Sequence, residues 1–208
     1  VPNLVKESVV EGAGQLPKFR DTMFSDQESD LWLIPTAEVP ITNIYANEIV
    51  SVDNLPIKIV AQTSCFRNEK AAAGKDTRGI KRVHQFEKVE LYQFVEPEKS
   101  DDTLESMLNT CVSLCKKLGL TYRIKLLCTG DLGFCSNKTY DIEVWSPGSK
   151  EWLEVSSVSN CTDFQSRRSN TKFKKTPKSK TEYLHTLNGS GLALPRIIIA
   201  ILETYQNE

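Results

Sequence analysis

No two of the six cysteines stand in a CxxC spacing, and with only two histidines in 208 residues no Cys/His cluster has the spacing of a zinc site. Cys65, Cys111, Cys115, Cys128, Cys135 and Cys161 are scattered singly, which fits a reducing compartment better than a secreted disulfide scaffold. An excess of charge is also missing, since 26 Lys and Arg against 27 Asp and Glu leave a net charge of -1. That balance argues against a protein that grips nucleic acid through its overall field, so any such contact is local or made by a part lying elsewhere. The longest apolar run, Leu192 to Leu202, contains Pro195 and Arg196 and is too short to span a bilayer, so no membrane partner is expected. No signal peptide is visible from Val1 onward, and any targeting segment upstream of Val1 would lie outside the sequence. What is present is enough chain for one substantial core, 39% hydrophobic and 25% charged, with no repeat and no two similar halves.

Short strands are predicted at Leu31 to Ile34 and Ile57 to Gln62. From Arg82 to Val95 the chain alternates at period two. Arg82, His84, Phe86, Lys88, Glu90 and Tyr92 share one face, with Val83, Val89 and Leu91 on the other. Ser100 to Leu118 reads as a helix, with Ser100 as N-cap, Asp101 and Asp102 at the positive end, and Gly119 as the stop. Its stripe of Leu104, Met107, Leu108, Cys111, Cys115 and Leu118 makes the two cysteines packing groups. Further strands are expected at Tyr122 to Leu127, Tyr140 to Trp145 and Trp152 to Val158, the last two joined through Ser146-Pro147-Gly148-Ser149. Arg167 to Lys180 carries seven basic residues in fourteen and reads as a solvated connection. A last helix begins near Leu194, although Ile197 to Ile199 equally has strand propensity. The order of elements implies an α+β fold, an antiparallel sheet flanked by helices.

Four constellations carry chemistry. In "CFRNEKAAAGKDTRGIKRVHQFEKVELY", Cys65 to Tyr92, Arg67 and Glu69 end one strand, and a second strand follows a loop of Ala, Gly and Lys. A guanidinium chelates phosphate oxygens with a fixed fork of donors where lysine offers a point charge. Phe86 offers a ring on the same face as Arg82, and Glu90 can hold an ammonium. The pattern also suits an amphipathic hairpin with solvated charges and an Arg67–Glu69 surface ion pair. His84 is expected to pack or to orient a neighbour rather than to do acid–base work.

The stretch resembles motif 2 of the class II aminoacyl-tRNA synthetases in their seryl form, through "FRNE", "DTRG" and "HQFEKVE". "LIPTAEVPITN", Leu31 to Asn43, is similar to that family's serine-binding TAE loop. "YDIEVWSP" with "EWLEVSSVSNCTDFQSRR" resembles the strand pair before motif 3, and "LNGSGLALPRIIIAILETYQ", Leu187 to Gln206, resembles motif 3 itself. The four stand in the family's order and span nearly the whole chain. The resemblance implies one unit, 1–208, a partial class II catalytic core without motif 1 and without the N-terminal arm. The position after Ser157 is Val158, where relatives frequently carry a small residue such as cysteine.

Residue by residue, the resemblance implies that Arg67 holds the α-phosphate of ATP and also meets serine, while Arg82 reaches the outer phosphates. Phe86 stacks on adenine, the backbone of Val83 reads the base, Glu69 meets the adenine edge, and Asn68 lies beside them. Arg196 meets either the other face of adenine or the γ-phosphate. Glu154, Val155, Ser156 and Ser157 complete the ATP site, with Glu154 and Ser157 coordinating Mg²⁺ through hard oxygens. Strict alternation puts those two on opposite faces of a strand, so a bulge or turn is expected there. Thr36, Ala37, Glu38, Glu90, Asn188 and Ser190 surround L-serine. The implied activity is that of a cytoplasmic serine–tRNA ligase with ATP, L-serine and tRNA(Ser) as partners, homodimeric at full length. Arg67 and Arg196 are its implied catalytic residues. A synthetase-like binding or regulatory protein would be expected to lose the arginines or acidic ligands, and all are present. A core for another amino acid such as threonine is disfavoured by the TAE loop and "HQFEKVE".

Overall fold

The computed structural model describes residues 1–69 and 79–207. Its strands are β1 (Leu4–Lys6), β2 (Leu31–Leu33), β3 (Ile49–Ser51), β4 (Ile57–Phe66), β5 (Gln85–Val95), β6 (Tyr122–Leu126), β7 (Lys138–Ser146), β8 (Glu151–Asn160), β9 (Lys172–Lys174), β10 (Glu182–Tyr183) and β11 (His185–Ala193). The helices are α1 (Glu7–Gly12), α2 (Glu38–Thr42), α3 (Ser100–Lys117), α4 (Phe164–Ser169) and α5 (Leu194–Tyr205). Six strands form one sheet in the order β4-β5-β11-β8-β7-β6, and every pairing within it is antiparallel. A β1–β2 ribbon and a small β10-β9-β3 sheet lie apart from it.

Opposed residues of an antiparallel pair share a face, so the register sorts the side chains. One face carries Ile142, Val144, Leu153, Val155, Val158 and Leu187, which pack against the apolar stripes of α3 and α5. In α3 the buried positions Leu104, Met107, Leu108, Cys111, Val112 and Cys115 recur at helical spacing. Gly119 at φ 66 ends it in the left-handed conformation that glycine adopts without strain. The other face carries Phe86, Lys88 and Glu90 of β5, Ser190 and Asn188 of β11, Ser157 of β8, and Asp141 and Glu143 of β7. Part of that polar face is roofed where Tyr92 and Phe94 pack with Ala37, Ile41, Val50, Phe173 and Leu184.

Four expectations are corrected. The second strand of the hairpin starts at Gln85, so Arg82 and His84 lie in the preceding bend. Ser100 does not cap α3 with its side chain: it occupies the first turn, after a 3-10 turn at Pro97–Lys99, and its hydroxyl donates to the Pro97 carbonyl. Leu187 to Ala193, read only as the approach to a helix, is most of a central strand. The basic stretch contains parts of α4 and β9, and its Arg167 and Lys175 pair with Asp163, Glu98 and Glu182. Ile197 to Ile199 is helical, in α5.

Candidate active site

Between the end of β4, the start of β5, β8 and the first turn of α5 lies an open cleft with an enclosed volume of about 160 Å³. Arg67, Arg82 and Arg196 line it with Phe86, Glu69 and Glu154. The Ala- and Gly-rich loop and most of "DTRG", 70–78, fall outside the described residues. Arg67 and Arg196 are set against backbone and Arg82 against a carboxylate. The Arg67 amide donates to the His84 carbonyl at 2.9 Å, pinning the strand end to the bend, and its guanidinium carbon sits 5.2 Å from the Phe86 ring centroid. His84 Nδ1 lies 3.2 Å from the Arg67 carbonyl oxygen, so this histidine braces the bend as expected. Arg82 Nη1 donates to Glu69 Oε2 at 2.7 Å. Arg196 donates to the carbonyls of Glu154 (2.7 Å) and Lys81 (3.4 Å). Three guanidinium forks beside one aromatic ring can clamp a polyanion that carries a planar ring.

β8 reaches this cleft through the expected bulge. Ile142 opposes Ser156 and Glu143 opposes Glu154, leaving Val155 as the extra residue. Val155 and Ser156 both turn inward at 1% exposure, and Ser156 Oγ donates to the Ser190 carbonyl at 2.6 Å. Glu154 and Ser157 therefore share the polar face, with Asp141 opposite Ser157. Burial raises the pKa of the Asp141 carboxyl, and among the described residues its buried Oδ1 has no hydrogen-bond partner. Among the described residues no three His, Cys, Asp or Glu side chains form a metal cage. A magnesium ion shared with phosphate oxygens needs only one or two carboxylates, and the hard oxygens of Glu154, Ser157 and Asp141 fit it.

A buried cluster of polar side chains adjoins the cleft, reached through Lys88 and Ser190, which line the cleft. Register places Ser190 opposite Glu90. Thr36 Oγ1 donates to Glu90 Oε2 at 3.1 Å, and Lys88 Nζ reaches the same oxygen at 2.6 Å. Glu38, in the first turn of α2, receives Gln165 Nε2 (2.6 Å) and Asn188 Nδ2 (3.0 Å) on one carboxyl oxygen. Burial, then the neighbouring Glu90, push its pKa up to about 7. Behind it a polar network continues, with Thr42 Oγ1 2.9 Å from Tyr92 OH and Tyr92 OH donating to Gln165 Oε1 at 2.9 Å. Two carboxylates in one buried cluster are suited to an ammonium and a hydroxyl.

The structure thus brings Arg67, Glu69, Arg82, Val83, Phe86, Glu154, Val155, Ser190 and Arg196 to the cleft. Thr36, Glu38, Glu90 and Asn188 gather in the adjoining cluster, where Ala37 is fully buried. Asn68 lies aside, its amide donating to the Thr22 carbonyl, and the Ser156 hydroxyl points away from the cleft. Sequence reasoning gave no role to Lys88, Asp141 or Gln165. The alternation did put Lys88 on the chemical face, whereas Gln165 carried no local signal.

An all-antiparallel six-stranded sheet with helices on its apolar face and an arginine-lined cleft on the other defines a class II aminoacyl-tRNA synthetase core. Residues 19–205 match the family described as tRNA synthetase class II core domain (G, H, P, S and T), and the chain belongs to that family. Within it, the chain is similar to the serine–tRNA ligase of Chloroflexus aurantiacus, 60% identical over 207 residues, which cover 100% of this chain and 49% of that protein. It is also similar to the crystal structure of seryl-tRNA synthetase from Pyrococcus horikoshii complexed with ATP (TM-score 0.96, 44% identity, 99% of this chain and 46% of that one). The cytoplasmic serine–tRNA ligase of Naegleria fowleri in complex with AMP superposes with a TM-score of 0.92 at 35% identity, over 99% of this chain and 49% of that one. The chain spans about half the length of the curated relatives it matches.

Proposed function

We propose that this chain is the core of a serine–tRNA ligase, which activates L-serine with ATP and, in the whole protein, esterifies it to tRNA(Ser). The observation that carries the reading is the meeting of two unlike groups of side chains. An arginine-lined cleft suited to a nucleotide borders a buried acidic cluster with Glu38 and Glu90, and Lys88, which lines the cleft, pairs with Glu90. The similarity to ATP- and AMP-bound seryl enzymes supports it.

ATP lies with its adenine against Phe86 and its phosphates among Arg67, Arg82 and Arg196. Serine lies at the acidic cluster, its ammonium and hydroxyl met by Glu90, with Thr36, Glu38, Asn188 and Ser190 around it. A serine carboxylate oxygen attacks the α-phosphorus, the bond to the bridging oxygen breaks, and pyrophosphate leaves with the electron pair. Arg67 stabilises the charge that builds on the five-coordinate phosphorus. Glu154 and Ser157, with Asp141 beside them, would hold Mg²⁺, which would supply neutralisation of phosphate charge. No protein base is assigned, because positioning and charge neutralisation do most of the work in such transfers. The terminal ribose hydroxyl of tRNA(Ser) then attacks the seryl carbonyl carbon and AMP leaves. The full-length protein is a homodimer, and its setting is the cytoplasm.

The test is exchange of labelled pyrophosphate into ATP by the full-length protein. Exchange that depends on serine, and not on threonine or glycine, is expected. Exchange that ignores serine would sink the reading.

A further inference from the structure

Lys88 is a lysine with its side chain only 8% exposed, beside a Glu90 side chain at 2%. Burying an ammonium costs several kcal/mol unless it is paired and hydrogen-bonded. Here it is both. Its Nζ lies 2.6 Å from Glu90 Oε2 and donates to Thr36 Oγ1 at 2.8 Å, while Thr36 donates to that same carboxyl oxygen at 3.1 Å. This closed triangle fixes one oxygen of Glu90. Among the described residues the side-chain contacts of Glu90 with Thr36 and Lys88 both fall on Oε2, so Oε1 is the oxygen left to a ligand.

Charge gives the triangle a second consequence. Glu38 and Glu90 belong to one buried cluster, and two carboxylates that close cannot both ionise unaided. Other titratable or charged groups also face them: Arg67 and Cys65 from the β4 end, Tyr92 on β5, Cys111 on α3, and Cys135 and Cys161 from the loops around β7 and β8. The cysteines and the tyrosine are pushed up by burial and stay neutral near pH 7. Arg67 acts on Glu38 only through its field, so among the described residues Lys88 is the cation paired directly with one of these acids.

The geometry points to Lys88 as a positioning residue that neutralises charge beside the two acids and, with Thr36, fixes one oxygen of Glu90 so that Oε1 is turned to the substrate ammonium. This rests on the serine reading above. Without Lys88 the proton that Glu38 holds up to about pH 7 is kept to a higher pH and shared with Glu90, and an ammonium binds only as it leaves. Serine binding then recovers at a higher pH than in the parent.

The experiment compares the full-length parent with Lys88→Met, Lys88→Gln and Lys88→Arg in pyrophosphate exchange from about pH 6 to about pH 9. For Lys88→Met and Lys88→Gln, the serine KM at neutral pH is expected to rise about 10-fold or more and to fall back toward the parent as pH rises, a one-unit shift in a coupled pKa being worth about tenfold. The ATP KM changes much less than the serine KM, because Lys88 borders the cleft but the arginines placed on the phosphates are untouched. Lys88→Arg keeps the parent profile. If Lys88→Met does not fold, Lys88→Gln, which retains an amide donor, carries the comparison. A Lys88→Gln serine profile parallel to the parent's, or equal changes in both KM values, overturns the role of Lys88 while leaving the serine reading intact. A parent without serine-dependent exchange overturns the serine reading and this inference together.

Discussion

Arg196 donates through Nη1 to the carbonyl of Glu154 across 2.7 Å, and its guanidinium also lies 3.7 Å from that residue's carboxylate. The first turn of α5 is thereby tied to the bulged stretch of β8. Arg67 is held far less firmly: among the described residues its guanidinium makes one long bond, 3.4 Å to the Pro35 carbonyl, and rests against Phe86. Arg196 is a braced wall of the cleft, while most of the Arg67 fork remains available to a ligand.

Arg67→Lys should therefore lower the rate of serine-dependent exchange by about 100-fold although charge is conserved, because a point charge replaces a planar fork. The serine KM should change much less. Steady-state exchange kinetics check this, and a near-normal rate would make Arg67 structural.

Alanine should be activated about 100-fold less efficiently than serine, or worse. An apolar side chain leaves the groups around Glu90 and Ser190 without their partner in a buried pocket. Comparing kcat/KM for the two amino acids decides it, and similar values would remove Glu90 from hydroxyl recognition.

Gln165 is fully buried, and its amide joins Glu38, the Ala13 carbonyl, Tyr92 and Thr186. Gln165→Leu strands several of these groups at once, so a loss of about 2–4 kcal/mol is expected in urea unfolding, with a higher serine KM. A variant as stable as the parent would mean that the network relaxes around the gap.

Glu38 keeps its proton up to about pH 7 against an ordinary 4.5, through burial first and Glu90 second. The folded protein then retains a proton that the unfolded chain releases above 4.5, so stability falls as pH rises from about 4.5 to about 7. Glu38→Gln should flatten that part of the profile, comparing more favourably with the parent at pH 8 than at pH 5. Unfolding at the two pH values measures the difference, and parallel profiles would show that Glu38 ionises freely in the folded state.

Much of this was legible before the fold was known. Helix α3 announced itself by its apolar spacing and by Gly119, and the Glu154–Ser157 spacing predicted a bulge that the register of β7 and β8 bears out. β11 was invisible for a physical reason. Its Gly189 and Gly191 depress strand propensity, yet a Cβ at either would come within 3.2 Å of Val158 or 3.3 Å of Val89. Glycine is needed there by close packing across the sheet, which no local pattern reports. The site residues were carried by family resemblance. Lys88 and Gln165 acquire meaning only through Thr36 and Glu38, residues 52 and 127 positions away.

The bulge in β8 also governs where the chain tolerates a change of length. Pairing with β7 uses every residue from Glu154 to Ser157 except Val155. Losing one residue at Val155 or Ser156 keeps Glu154 opposite Glu143 and Ser157 opposite Asp141. Such a deletion sacrifices core methyls in the first case and the Ser156–Ser190 tie in the second. Adding a residue between the bulge and Ser157 rotates everything beyond it by half a pleat, sending a carboxylate or a hydroxyl into the helix layer. Homologous chains should accordingly be shorter here more readily than longer.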